Sequence, residues 1–86
     1  MATYEVLLAK AARKELTSLP VLVHDNIIEA LSKLSVAPRP IGCKKLKGQK
    51  NAWRIRIGDY RVIYEIEDKV LRILVIAIGH RKNIYE

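Results

Sequence analysis

The apolar positions of this chain change period twice. Residues 3–8, Thr-Tyr-Glu-Val-Leu-Leu, read as a first strand. From Lys10 to Ser18 the spacing turns helical, with Ala12, Leu16 and Leu19 falling on one side. Pro20 disfavours helical geometry at Leu19 and suits the first turn of a new helix. That second helix is predicted to run to about Ser35, with Ile27, Ile28, Leu31 and Leu34 as its buried stripe. Pro38 and Pro40 end it, and the segment from Ile41 to Asn51 is the one long connection.

The period then falls to two. Trp53-Arg54-Ile55-Arg56-Ile57 alternates as a strand does, Gly58-Asp59 is a turn signal, and Tyr60-Arg61-Val62-Ile63-Tyr64-Glu65-Ile66 alternates again. Asp68-Lys69 turns the chain into a last strand, Val70 to Ile78, whose β-branched run from Ile73 onward reads as a central strand. The order is strand, helix, helix, strand, strand, strand. That pattern predicts a single α+β domain over residues 1–86, with two N-terminal helices packed on a mainly antiparallel four-stranded sheet. Trp53, Ile55, Ile57, Tyr60, Val62, Tyr64 and Ile66 should share the core face with Leu71, Ile73, Val75 and Ala77. The opposite face should carry Arg54, Arg56, Arg61 and Glu65, with Ile63, Leu74 and Ile76 among them. A second two-residue turn would set Glu65 opposite Arg72.

Charge sharpens this picture. The chain carries a formal +7, and all of it resides in residues 39–61, where Arg39, Lys44, Lys45, Lys47, Lys50, Arg54, Arg56 and Arg61 meet one acid, Asp59. The rest of the chain holds as many acids as bases. If Gly58 and Asp59 are the central residues of a tight turn, Ile57 faces Tyr60 and Arg56 faces Arg61, with Arg54 two residues along. Like charges directly opposite destabilise an antiparallel pair, so an anion is expected there. The planar fork of arginine suits phosphate, which makes nucleic acid the expected partner. An anionic membrane surface fits less well, because the charge lies on a predicted sheet and not on an amphipathic helix. No apolar run approaches the ~20 residues of a membrane span. One cysteine, Cys43, and two histidines leave no internal disulfide and no structural zinc site, and no cofactor is expected. The opening Met-Ala-Thr-Tyr-Glu-Val lacks the basic-then-apolar pattern of a signal peptide, so a cytoplasmic protein is expected.

Three motifs carry a resemblance. They are Lys44-Lys45-Leu46-Lys47-Gly48, then Trp53 through Tyr64 with its Gly-Asp-Tyr-Arg turn, then Ile78-Gly79-His80-Arg81-Lys82-Asn83-Ile84-Tyr85. Together they resemble the RelE branch of the RelE/ParE toxin superfamily, and the likeness extends over essentially the whole chain. It implies the toxin half of a toxin–antitoxin pair that cleaves mRNA in the ribosomal A site without metal, by attack of a ribose 2′-hydroxyl on the adjacent phosphate. It also implies an acidic, RelB-like antitoxin as partner. ParE-type members share the fold but inhibit DNA gyrase and lack the RNase residues. By position, Arg54 and Arg56 match two lysines of the RelE pattern, Arg61 and Arg81 match its arginines, and Tyr85 matches its C-terminal tyrosine with two fewer intervening residues. Lysine to arginine keeps the charge but removes a group able to shuttle a proton. His80 is the residue type that compensates for this, being readily tuned for proton transfer near neutral pH.

Such cleavage needs a base, an acid, and positive charge on the phosphorane-like oxygens. Arg54, Arg56, Arg61 and Arg81 supply the charge, with His80 and Tyr85 as proton-transfer or base-stacking candidates. Lys44, Lys45, Lys47 and Lys50 are expected to track RNA backbone phosphates without reading sequence. Each residue also has a plainer reading: a solvated strand face for the arginines, a strand-end histidine bonded to backbone, a frayed tyrosine, a solubilising lysine loop. His24 reads as a surface residue, Cys43 as inert, and Trp53 opposite Tyr64 as core. A ribonuclease and a non-catalytic protein inhibitor therefore both stand as function classes, beside a degenerate toxin that only binds its antitoxin.

Overall fold

The structure is a computed structural model, described over residues 3–48 and 50–80. Proline sets the helix boundaries. The first helix, α1 (Lys10–Thr17), closes on local bonds: the Thr17 hydroxyl donates to the Lys14 carbonyl at 2.9 Å and the Ser18 hydroxyl to the Glu15 carbonyl at 2.8 Å. Pro20 then caps α2 (Val21–Val36), which stops at Ala37, whose ψ of 89° is the extended geometry imposed by the following Pro38. Ile27, Leu31 and Leu34 are buried on α2, within about 60° of one another around the axis. Ile28 is 43% exposed and is not part of that stripe, because one residue further on rotates it about 100° away.

The sheet has the order β1-β5-β4-β3-β2, with β1 (Glu5–Leu8) parallel to β5 (Arg72–His80) and the other pairs antiparallel. The α+β class and the mainly antiparallel sheet are as expected. A fifth strand is added by β2 (Lys44–Lys45), two residues of the long connection that pair with Arg54 and Trp53 of β3 (Ala52–Ile57). Both helices pack on one face, over a core that includes Ala12, Leu16, Ile27, Leu34, Val62, Tyr64, Ile66, Ile73 and Val75. A smaller cluster of Leu46, Ala52 and Ile63, with Ile76 and Ala77 against it, lies on the other face.

Two registers decide where the charged residues go. Between β3 and β4 (Tyr60–Glu67) the turn is the expected two-residue one, so Ile57 faces Tyr60 and Arg56 faces Arg61. Gly58 takes φ +60° while Asp59 does not enter the positive region, the pattern of a type II′ turn. Between β4 and β5 the turn is longer. A 3-10 turn over Asp68–Val70 is followed by Leu71 at φ +52°, so Glu67, not Glu65, faces Arg72. Glu65 faces Leu74, and Arg72 lies 3.9 Å from its parallel-strand neighbour Glu5.

The register then slips. Tyr64 pairs with Val75 but Ile63 pairs with Ala77, so Ile76 is an extra residue without a partner, a β-bulge. A one-residue slip moves every later side chain to the other face. Ala77 therefore leaves the expected core face for the arginine face, and Ile78 joins the core. Leu71 is a partly exposed turn residue and not part of the core face.

Candidate nucleic-acid interface

The β3–β4 hairpin assembles the arginines on the sheet face that the helices leave open. Arg54 is flanked by Lys44 on β2 and Ile63 on β4; the next row holds Arg56, Arg61 and Gly79. Gly79 places no side chain beside Arg61. Arg56 is exposed, Arg61 half-buried, and Arg54 is 5% exposed, the one buried charged residue described. The Nε atoms of Arg54 and Arg61 are both sealed from solvent. The plainer expectation of a solvated basic face therefore does not describe Arg54. A cleft of about 90 Å³ opens at the turn, lined by Arg56, Gly58, Asp59 and Arg61.

The sheet separates His80 from this group. His80 pairs with Tyr60, and residues paired across strands point to the same side, which for Tyr60 is the helix side. The two rings meet edge-on, 5.4 Å between centroids at 84°. The bulge at Ile76 is the cause: without it His80 would share the face of Arg61, as the alternation of β5 implied. Arg81 and Tyr85 lie outside the described residues.

The lysines do not form one track. Lys44 lies on the arginine side, opposite Arg54, while Lys45 faces Trp53 on the other side. Lys44, Lys45 and Lys47 line a shallow cleft of about 230 Å³ along the edge. Lys50 lines a different one, beside Asn51, Glu67 and Asp68 at the far end of β4.

Arg39 contributes to the charge of the segment but not to the arginine face. Its guanidinium grips Asp68 through two bonds, 3.2 and 2.8 Å, and stacks 5.1 Å from the Trp53 ring centroid. The Tyr4 hydroxyl donates to the same carboxylate at 2.6 Å. Hydrogen bonds from Arg39 first and Tyr4 second hold the Asp68 carboxyl at about 2, well below its ordinary value. Beside them, Tyr64 is fully buried, donates its hydroxyl to the Pro38 carbonyl at 2.7 Å, and has its ionisation pushed up mainly by burial. Trp53 and Tyr64 are paired on the core side as expected. Sequence spacing held no sign of the Arg39–Asp68 pair, whose members lie 29 residues apart.

A larger cleft, about 560 Å³, runs between α2 and β3 and is mostly apolar, with Leu34, Ile41, Ile55 and Ile57 among its lining residues. Lys33 and Arg56 are its two basic lining residues, and Arg56 also lines the small cleft at the turn. Among the described residues no His, Cys, Asp and Glu side chains gather in a group of three able to hold a metal ion. No described helix is long and apolar enough to cross a membrane.

Known proteins share both this fold and this sequence pattern. A family model described as ParE toxin of type II toxin-antitoxin system, parDE, matches residues 6–85. Toxin RelE3 of Methanocaldococcus jannaschii is 33% identical over 86 aligned positions, covering 95% of this chain and 96% of its own. The mRNA interferase toxin RelE of Escherichia coli K12 is 28% identical over 74, covering 84% of this chain and 77% of its own. The crystal structure of the archaeal RelE–RelB complex from Pyrococcus horikoshii superposes with a TM-score of 0.83 at 32% identity, covering 95% of this chain and 99% of the other. With a family match over residues 6–85, relatives about one-third identical along nearly the whole chain, and the fold shared, the chain belongs to the RelE/ParE superfamily of type II toxins and is a toxin of its RelE family.

Proposed function

We propose that this toxin is a metal-independent endoribonuclease that cuts mRNA in the ribosomal A site and is held inactive by an acidic antitoxin. The observation that carries the reading is the row Arg56, Arg61, Gly79 with Arg54 beside it on the open face of the sheet. Two guanidiniums directly opposite each other work against the hairpin, and a phosphate between them turns that repulsion into attraction. Arg56 and Arg61 hold the scissile phosphate, and Arg54 with Lys44 the neighbouring one. As the 2′-oxygen bonds to phosphorus and the bond to the 5′-oxygen breaks, negative charge grows on the equatorial oxygens, and guanidiniums beside them stabilise it. The products are a 2′,3′-cyclic phosphate and a 5′-hydroxyl. His80 pairs with Tyr60 on the helix side beside the turn; Arg81 remains a candidate for added charge, and Tyr85 for proton donation or stacking on the scissile base.

The name mRNA interferase, borne by the E. coli relative, supports the reaction, and the RelE–RelB complex supports the partner. The matching family description supports a second reading, a ParE-type inhibitor of DNA gyrase. One comparison separates them. Purified toxin is given ribosomes stalled on a defined mRNA, and in parallel given gyrase and relaxed plasmid. New mRNA 5′ ends at the A site, lost when the scissile nucleotide is 2′-deoxy, support the ribonuclease. Intact mRNA with blocked supercoiling overturns it.

A further inference from the structure

Attack by a 2′-hydroxyl requires a group that takes its proton. The guanidiniums on the open face cannot do so, since arginine keeps its proton in proteins. The imidazole of His80 lies across the sheet. Of the four residues lining the cleft at the turn, Asp59 is the one with a side chain able to gain a proton, and it is the sole acid of residues 39–61. We propose that Asp59 is the general base of this site, an inference that rests on the ribonuclease reading above.

The turn fixes its position. Gly58, at φ +60°, takes the positive-φ first place of the type II′ turn and leaves Asp59 in the second, with Arg56 and Arg61 on the strands to either side. The cleft of about 90 Å³ holds roughly three waters' worth of volume, enough for a phosphate group and the attacking hydroxyl. One carboxylate beside the arginines still leaves an excess of positive charge for the phosphate. In the reaction the Asp59 carboxylate accepts the 2′-hydroxyl proton while the 2′-oxygen bonds to phosphorus. The bond to the 5′-oxygen breaks with its electron pair, that oxygen takes a proton from water, and Asp59 returns its own proton to solvent. The rival role for Asp59 is that of an ordinary turn residue, for which Asp is well suited.

Two variants of the full chain decide between these roles, with single-turnover cleavage of ribosome-bound mRNA as the readout. Asp59→Asn keeps the turn chemistry but accepts no proton, so cleavage should slow by about 100-fold or more while melting temperature and ribosome affinity hold. Asp59→Gly, which the turn also tolerates, should be as slow and should regain rate when formate supplies a free carboxylate. Asp59→Asn cutting as fast as wild type overturns the proposal. So does a slow, folded Asp59→Gly that formate leaves unchanged, and this second arm decides the matter if the Asn variant fails to fold. Wild-type toxin that leaves ribosome-bound mRNA intact sinks the ribonuclease reading and the base with it; active wild type beside an active Asn variant sinks the base alone.

Discussion

Arg56 stands directly opposite Arg61 across the β3–β4 hairpin, and both line the cleft at its turn. The apposition yields a separable signature. Arg61→Ala should abolish mRNA cleavage and growth arrest while costing less stability than truncation of the buried Arg54, because Arg61 is only half-buried and its removal also relieves a like-charge pair. Urea unfolding and a growth assay at matched expression check the two halves. An arresting variant removes Arg61 from the site, and an unfolded one makes it structural.

Arg54 should behave differently although it lies on the same face. It is 5% exposed, so truncation removes buried stem as well as charge, and Arg54→Ala should cost about 1–3 kcal/mol. Arg54→Lys restores the charge but not the planar fork, and should recover activity less fully than stability. Equal urea midpoints for the Arg54 and Arg61 alanine variants would contradict the difference in burial.

The hairpin was legible because Gly58-Asp59 interrupts a clean alternation, and alternation fixes register. The bulge at Ile76 was not, for a physical reason. From Ile73 to Ile78 every residue is apolar, so either face satisfies the pattern, and a slip leaves no mark in the sequence. Yet that slip alone carries His80 away from the arginines and brings Gly79 to them. Leu71 hides the second turn similarly, since a β-branch-free apolar residue at φ +52° has no composition signal. Arg39 shows the limit of counting charge along a segment, since its partner Asp68 lies outside that segment and takes its charge.

The Arg39–Asp68–Tyr4 group predicts a pH dependence. The folded carboxyl sits at about 2, below its ordinary 3.8, so the folded state binds that proton less readily than the unfolded chain does. Its contribution to stability is then complete above about pH 4 and fades as pH falls toward about 2. Asp68→Asn should flatten the wild-type decline across that acid window. The effect is small, because both partners are substantially exposed and salt screens them. Urea midpoints between these limits, measured at low salt for both proteins, check it; parallel curves would remove Asp68 as the titrating group.

Cleavage should not need a divalent metal of its own. Phosphate charge in the proposed site is met by guanidinium, and the proton by a side chain, so no step calls for Mg²⁺ or Zn²⁺. Adding EDTA within the range that leaves ribosomes intact should not change the single-turnover rate. A rate that falls with chelation and returns with one metal would replace this mechanism with a metal-assisted one.

Arg56 lines both the cleft at the turn and the apolar groove between α2 and β3, which the fully exposed Ile41 also lines. An acidic antitoxin segment lying along that groove can bury apolar side chains against Ile41 and Ile55 while its carboxylates reach Arg56. Inhibition then follows from occupying the guanidinium that the scissile phosphate needs. With a formal charge of +7 on the chain, association with an acidic segment should be steered electrostatically and slow steeply as salt rises. Stopped-flow association between roughly 50 and 500 mM salt tests this, a range over which the Debye length falls about threefold. Arg56→Gln should flatten the salt dependence, whereas Ile41→Ala should speed dissociation and leave the salt slope alone. A salt-independent association rate would mean that the antitoxin docks on the helices, with the arginine face open in the complex and inhibition achieved by bulk at the ribosome.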